Sequence, residues 1–302
     1  MPNALETRRF KLDGGEQKIT LVSNLANKQH TIKCLKMSEA ADAITAVKAM
    51  ETDGHFLARD TEDDQSALKF MFVCASGGSG HGSLYYSSSN TGAGRTTKNS
   101  SSLHAFNYLT ARMFDADVQF VAQSGWGVKY PKSISSILDY SGITTSNNVS
   151  GARTTASWNY SNWVPDVIIF NIGGNDTNAD GFNKTTYQQE VVAMVKKLHT
   201  YYPNAKMIWT HTNSNAGKYA MSAITDENLN YIIQAIIPQV GSGPQDDPEH
   251  PITYGYGANN HNSLKTHIAT AQILADTLHS TWGYTVVKPN VTFEDFENII
   301  VR

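Results

Sequence analysis

Ala67-Leu-Lys-Phe-Met-Phe-Val-Cys74 is a strand-length apolar run, and it ends in Ala75-Ser-Gly-Gly-Ser-Gly-His-Gly82. A run this short and this apolar, stopped by glycines, reads as a β-strand buried on both faces. The same grammar recurs downstream. Asp117-Val-Gln-Phe-Val-Ala-Gln123, Asp166-Val-Ile-Ile-Phe-Asn-Ile172 and Ala205-Lys-Met-Ile-Trp-Thr210 read as further strands. Helical patterns over Leu103–Phe114, Thr185–Tyr201, Asp226–Ile237 and Leu264–Ser280 fall among them. Strands that are apolar throughout and alternate with helices predict a doubly wound parallel sheet of the α/β class, spanning residues 63–302.

Upstream the period changes. Lys18-Ile-Thr-Leu-Val22 and His30-Thr-Ile-Lys-Cys-Leu-Lys36 alternate apolar and polar residues, and Asp13-Gly-Gly15 and the stretch from Asn24 to Lys28 supply turns. Residues 1–62 are therefore read as a small β-segment, too poor in strands to close a sandwich alone. The polar stretch Thr61–Gln65 marks the expected boundary.

The chain has 302 residues, 40% hydrophobic and 17% charged, which is enough to bury a sizeable core. Its 24 basic and 27 acidic residues give a net charge of −3, without the basic stripe of a nucleic-acid binder. No apolar run is long enough to cross a bilayer as a helix. The N-terminus lacks the apolar stretch of a signal peptide. Cys34 and Cys74 cannot make a disulfide framework, and neither the compartment nor the oligomeric state can be read.

In open parallel sheets, chemistry sits beyond the carboxyl ends of the strands. Three glycine-rich or polar blocks fall there: Ser76–Gly82, Ser124-Gly-Trp-Gly127 and Gly173-Gly-Asn-Asp176. A fourth, Asn259-Asn-His-Asn-Ser-Leu-Lys-Thr-His267, precedes the last helix. Ser76 suits a nucleophile held at the sheet rim, although a serine in such a loop can equally be ordinary. Asn175 could donate its amide to an oxyanion, against the plainer reading of a turn asparagine. Gly125 or Gly127 offers a backbone N–H. His261 is placed to act as a general base, where a lone histidine more often caps a helix; His267, six residues on, is read as packing. Asp246-Asp-Pro-Glu-His250 is read as a solvated loop rather than a metal site. Trp209 belongs to a strand core. Trp126 is the tryptophan best placed to line a cleft.

Together, in the order Ser76, Gly125, Asn175, His261, these residues resemble the SGNH, or GDSL-type, hydrolases. Gly173-Gly-Asn175-Asp176 keeps the third block of that superfamily intact. The first block keeps its serine and last glycine, with Ala75 where the superfamily has aspartate. The fifth block, Asp-x-x-His, keeps His261 but has Ala258 for the aspartate. The resemblance sharpens toward carbohydrate esterase family two through His30–Glu39, the paired glycines Gly80 and Gly82, Ser124–Gly127 and the spaced histidines His261 and His267. It implies an SGNH hydrolase domain preceded by a small jelly-roll-like β-sandwich, here shortened or truncated.

It also implies a serine esterase that removes O-acetyl groups from a carbohydrate through an acyl-enzyme, without metal or cofactor. Ser76 and His261 are the catalytic pair, Gly125 and Asn175 the oxyanion donors, and Trp126 the substrate-binding residue. The partner is an acetylated carbohydrate, with no nucleic acid or membrane. Members of the family are typically secreted. Two alternatives stand beside this: a carbohydrate-binding protein on an impaired esterase scaffold, and a lipid or thioester hydrolase of the same superfamily.

Overall fold

The computed structural model describes residues 8–30, 32, 34, 36–39, 42, 45, 47–57, 68–141, 157–239, 255–288 and 300–301. By packing, the chain divides into two units, residues 36–289 and residues 1–35 with 290–302. In the smaller unit Arg8–Arg9 and Ile300–Val301 form a short parallel pair. Lys18–Val22, expected as a strand, takes no strand conformation among the described residues, since alternation by itself specifies no partner edge. The second expected strand, His30–Lys36, falls partly outside the described residues, and the expected boundary at 62/63 lies wholly outside them.

The larger unit is built on five strands: β1 Lys69–Cys74, β2 Asp117–Ala122, β3 Val167–Asn171, β4 Lys206–His211 and β5 Ile232–Ile236. They lie in the order β2-β1-β3-β4-β5, every pair parallel. Side chains alternate across the sheet. Met71 and Val73 join Ile168, Phe170, Met207 and Trp209 in a core on one face. Phe72 meets Phe106 edge-on on the other. The central strands are therefore apolar through Phe70–Cys74, Val167–Phe170 and Met207–Trp209, as a sheet covered on both sides demands.

The helices are α1 Phe106–Met113, α2 Lys184–Tyr201, α3 Asn215–Asp226 and α4 Leu264–Trp282. α1 packs on α4, and α2 on α3. The doubly wound parallel sheet of the α/β class expected from the sequence is present.

Two helices differ from expectation. Leu103–Phe114 is broken at Ala105, with a 3₁₀ turn over Ser102–His104 ahead of α1. Asp226–Ile237 is not a helix: the helix lies earlier, as α3, and Ile232–Ile236 is the edge strand β5. α3 buries mostly small residues, Ala216, Gly217, Ala220 and Ala223, with Ile224 as the one large apolar side chain that is fully in the core. A side chain at Gly217 would lie 2.4 Å from the His211 ring, so close approach of helix to strand depends on glycine there. Such a helix has little periodic apolar signal. The β-branched run of β5 imitates a buried helix segment of the same length.

The strand order reverses direction of winding between β1 and β3, which puts the crevice of the sheet beyond Cys74 and Asn171. No described helix is long and apolar enough to cross a membrane.

Candidate active site

Ser76 begins a single helical turn, Ser76–Ser79, two residues past the end of β1. Gly80 ends that turn in the left-handed conformation, φ 75°. A Cβ there would lie 2.0 Å from the Ser101 carbonyl oxygen, so the position admits only glycine. At Gly82, φ +68°, an added Cβ would lie 2.4 Å from the Ala258 carbonyl oxygen, and the Gly82 carbonyl accepts the Ala258 N–H at 3.0 Å. The turn carrying the serine is thereby joined to the loop carrying His261.

That loop is a 3₁₀ turn over Ala258–Asn260 in which Asn259 takes left-handed angles (φ 55°, ψ 40°). The Gly257 N–H donates to the His261 carbonyl at 2.7 Å, and Ser263 caps α4 by accepting from Thr266 N–H. The loop brings His261 to Ser76: its Nε2 lies 2.7 Å from Ser76 Oγ. Its Nδ1 lies 2.7 Å from the carbonyl oxygen of Asn259, which can only accept. The proton is thus on Nδ1, and Nε2 is free to receive the serine hydrogen. Burial holds the His261 pKa below the usual 6.5, with the Asn259 carbonyl acting in the opposite sense.

The other serines of this block are otherwise engaged. Ser79 Oγ donates to the Glu39 carboxylate. Ser83 is fully buried and donates to the Ser101 carbonyl.

Asn175 follows β3 in a second short turn, Gly174–Thr177. One amide hydrogen is spent on the Trp126 carbonyl at 2.7 Å, which orients the group and leaves the other free to donate. Asp176 is fully buried and accepts the N–H groups of Val128, Lys129 and Tyr130 at 2.7–2.8 Å. It fixes the loop after Trp126 and does not face His261. Gly125 is exposed, φ 76°, and its N–H has no partner among the described residues. The Ser76 N–H is likewise unpaired among them.

Trp126 was expected to line the cleft. Its side chain is 5% exposed and belongs to the hydrophobic core, so it offers its carbonyl to Asn175 rather than an open face for stacking. Trp209 and His267 are fully buried, as packing residues. Among the described residues no three His, Cys, Asp or Glu side chains converge to hold a metal ion, and Asp246–His250 lies outside those residues.

Two side chains escaped the sequence reading. Glu39, nearly buried, sits between the nucleophile turn and the 124–127 loop. His81 stacks on His261, with ring centroids 4.1 Å apart. Glu39 lies 85 residues before Ser124 and could be drawn in only through the family resemblance of His30–Glu39. His81 was visible as the one bulky residue between two obligatory glycines.

Comparison with known proteins finds relatives of this chain and of its fold. No protein-family model matches the chain. It is 22% identical over 299 residues to the cellulase/esterase CelE of Acetivibrio thermocellus, covering 91% of this chain and 33% of that protein. It is 27% identical over 223 residues to an acetylxylan esterase / glucomannan deacetylase of Cellvibrio japonicus, covering 66% and 57%. The chain therefore spans a third of the first relative and a little over half of the second. Among solved structures it is similar to the acetyl xylan esterase Est2A of the rumen bacterium Butyrivibrio proteoclasticus, with TM-score 0.58 and 20% identity over 72% of this chain and 65% of that one. The resemblance to the SGNH-type hydrolases and to carbohydrate esterase family two, drawn from the sequence blocks, holds in these relatives and in the fold.

Proposed function

We propose that this protein is a serine esterase that removes O-acetyl groups from a carbohydrate. The observation that carries the reading is the Ser76–His261–Asn259 chain, two 2.7 Å hydrogen bonds that leave His261 Nε2 facing the hydroxyl it must deprotonate.

The steps follow from the geometry. Ser76 Oγ attacks the acetyl carbonyl carbon while its proton passes to His261 Nε2. The carbonyl oxygen becomes an oxyanion, and its donors are the N–H groups of Ser76 and Gly125, unpaired among the described residues, with the amide hydrogen of Asn175 not spent on Trp126. His261 then gives the proton to the departing sugar hydroxyl oxygen as the C–O bond breaks. Water, deprotonated by the same nitrogen, releases acetate from Ser76. The imidazolium that forms midway is held by the Asn259 carbonyl rather than by a carboxylate, so the pair works as a dyad. Acetyl and carbohydrate specificity rest on the relatives, one of which is named as an acetylxylan esterase and glucomannan deacetylase.

The test is acetate release from 4-nitrophenyl acetate and from acetylated xylan and glucomannan oligosaccharides, with Ser76→Ala alongside. A serine-directed phosphonate is expected to label Ser76 and stop turnover. Labelling at Ser79 or Ser83, or faster turnover of long acyl chains than of acetyl, overturns the assignment. So does glycan binding with no acetate released.

A further inference from the structure

We infer that Glu39 is the positioning residue for the base, acting through Ser124, His81 and Asn259 to do the orienting work of the carboxylate that is absent at Ala258. The inference rests on Ser76 and His261 being the dyad. It concerns what holds them.

Each link follows from what its atoms can donate or accept. Glu39 is a nearly buried carboxylate with four donors: the hydroxyls of Ser79 and Ser124 on Oε1, and the Ser124 N–H (3.0 Å) and Gln123 Nε2 (3.4 Å) on Oε2. Ser124 has one hydroxyl hydrogen, and Glu39 takes it. Ser124 Oγ is then an acceptor toward His81 Nδ1, 3.1 Å away. At the other edge of the ring, His81 Nε2 lies 3.2 Å from Asn259 Nδ2, which can only donate. Both contacts demand the same tautomer of His81, with its hydrogen on Nδ1. The Asn259 side chain is thereby tethered, and the carbonyl of the same residue receives His261 Nδ1–H.

The chain Glu39–Ser124–His81–Asn259–His261–Ser76 is continuous. It joins four separate stretches of sequence, around residues 39, 76–81, 124 and 259–261. Glu39 itself is anchored through its N–H to Asp42 (3.1 Å), which is ion-paired with Arg95.

The stacking gives a second reason for this design. His81 lies parallel to His261 at 4.1 Å, where two imidazolium charges would repel. Burial first, then His261 and Arg95, push the His81 pKa down to about 3, against Asp42. His81 therefore stays neutral when His261 takes the serine proton. A neutral ring with both nitrogens committed can hold Asn259 without opposing the charge that develops beside it. Asn259, in left-handed backbone, is held from two sides, its N–H on the Ala93 carbonyl at 2.6 Å and its side chain on His81.

The test compares Glu39→Gln, His81→Phe and their double variant, assayed on 4-nitrophenyl acetate over pH 5–9 with folding checked by circular dichroism. Glu39→Gln puts a donor against the Ser124 N–H or against the two hydroxyls. His81→Phe keeps the stacked ring and removes both hydrogen bonds. Each is expected to lower kcat by about 10- to 100-fold with KM within about twofold, the scale of a misplaced catalytic group. The double variant should lose no more than the worse single one, because both changes cut one chain. Glu39→Gln should also move the acid limb of the pH profile to lower pH, because Glu39 favours the charged form of His261. Glu39→Asp should recover part of the rate.

A folded His81→Phe with parental kcat overturns the inference, and so do losses that multiply in the double variant. If Glu39→Gln does not fold, His81→Phe and Asn259→Ala decide the matter by the same kcat criterion. Failure of the dyad itself has a different signature: Ser76→Ala would retain activity.

Discussion

Acid should unfold this protein through its buried histidines, and His267 isolates the effect. Its Nδ1 accepts the Phe106 N–H at 3.2 Å, so a protonated ring would set two donors against each other. It is fully buried, and burial, with His261 and His104 nearby, pushes its pKa down to about 3. In the unfolded chain it titrates near the ordinary ~6.5. Between those values the unfolded state binds a proton that the native state refuses. Stability is therefore full above about pH 6.5 and falls as pH drops toward 3.

From pH 7 to pH 5 the loss is about 2 kcal/mol for one such histidine. His81, also held near 3, adds a similar amount. Together they remove about 4 kcal/mol from a total that is typically 5–15 kcal/mol. The assay is urea denaturation followed by tryptophan fluorescence at pH 7, 6 and 5, for the parent and for His267→Gln, which keeps an acceptor for Phe106. The variant is expected to be less stable at pH 7 but to lose about 2 kcal/mol less on acidification. Identical pH dependence in the two proteins would refute the reasoning.

Two further outcomes are expected. Asn175→Ala should lower kcat by roughly 10²–10³ with little change in KM, the cost of one oxyanion donor, and an unchanged kcat in steady-state assays would remove Asn175 from the mechanism. Because burial depresses His261, kcat/KM should rise through an apparent pKa below about 6.5 and plateau in mild alkali, with alanine at Asp246, Asp247 or Glu249 leaving the profile intact; a loss near 10⁴ from any of the three would mean a triad aspartate.

The sheet could be read from the chain because its central strands are apolar through their middles, and a doubly covered sheet requires that. The nearness of Ser76 and Asn175 could be read because strand ends in such a sheet converge, and these residues follow the neighbouring strands β1 and β3. α3 could not be read, since helices that approach through Ala216, Gly217 and Ala220 lack large apolar residues to mark them. Trp126 misled for a related reason. An aromatic beside an exposed glycine looks available, yet a one-residue step at a strand end turned its side chain into the core while Gly125 stayed outside. Glu39 was hidden by distance, because hydrogen bonds across 40 and 85 residues leave no local pattern.

The clasp between Gly82 and Ala258 bears on which residue position 258 can admit. Ala258 has no exposed surface, its N–H is given to Gly82 and its carbonyl takes the His261 N–H. An aspartate at this position would bury a carboxylate in a space already closed by backbone, and would compete with the Asn259 carbonyl for an imidazole hydrogen already held at 2.7 Å. Aspartate at 258 is thus disfavoured by its neighbours rather than by its chemistry. Residues 82 and 259 would have to shift to admit it, so a single Ala258→Asp exchange is expected to disturb the loop carrying His261 instead of giving its ring a carboxylate partner.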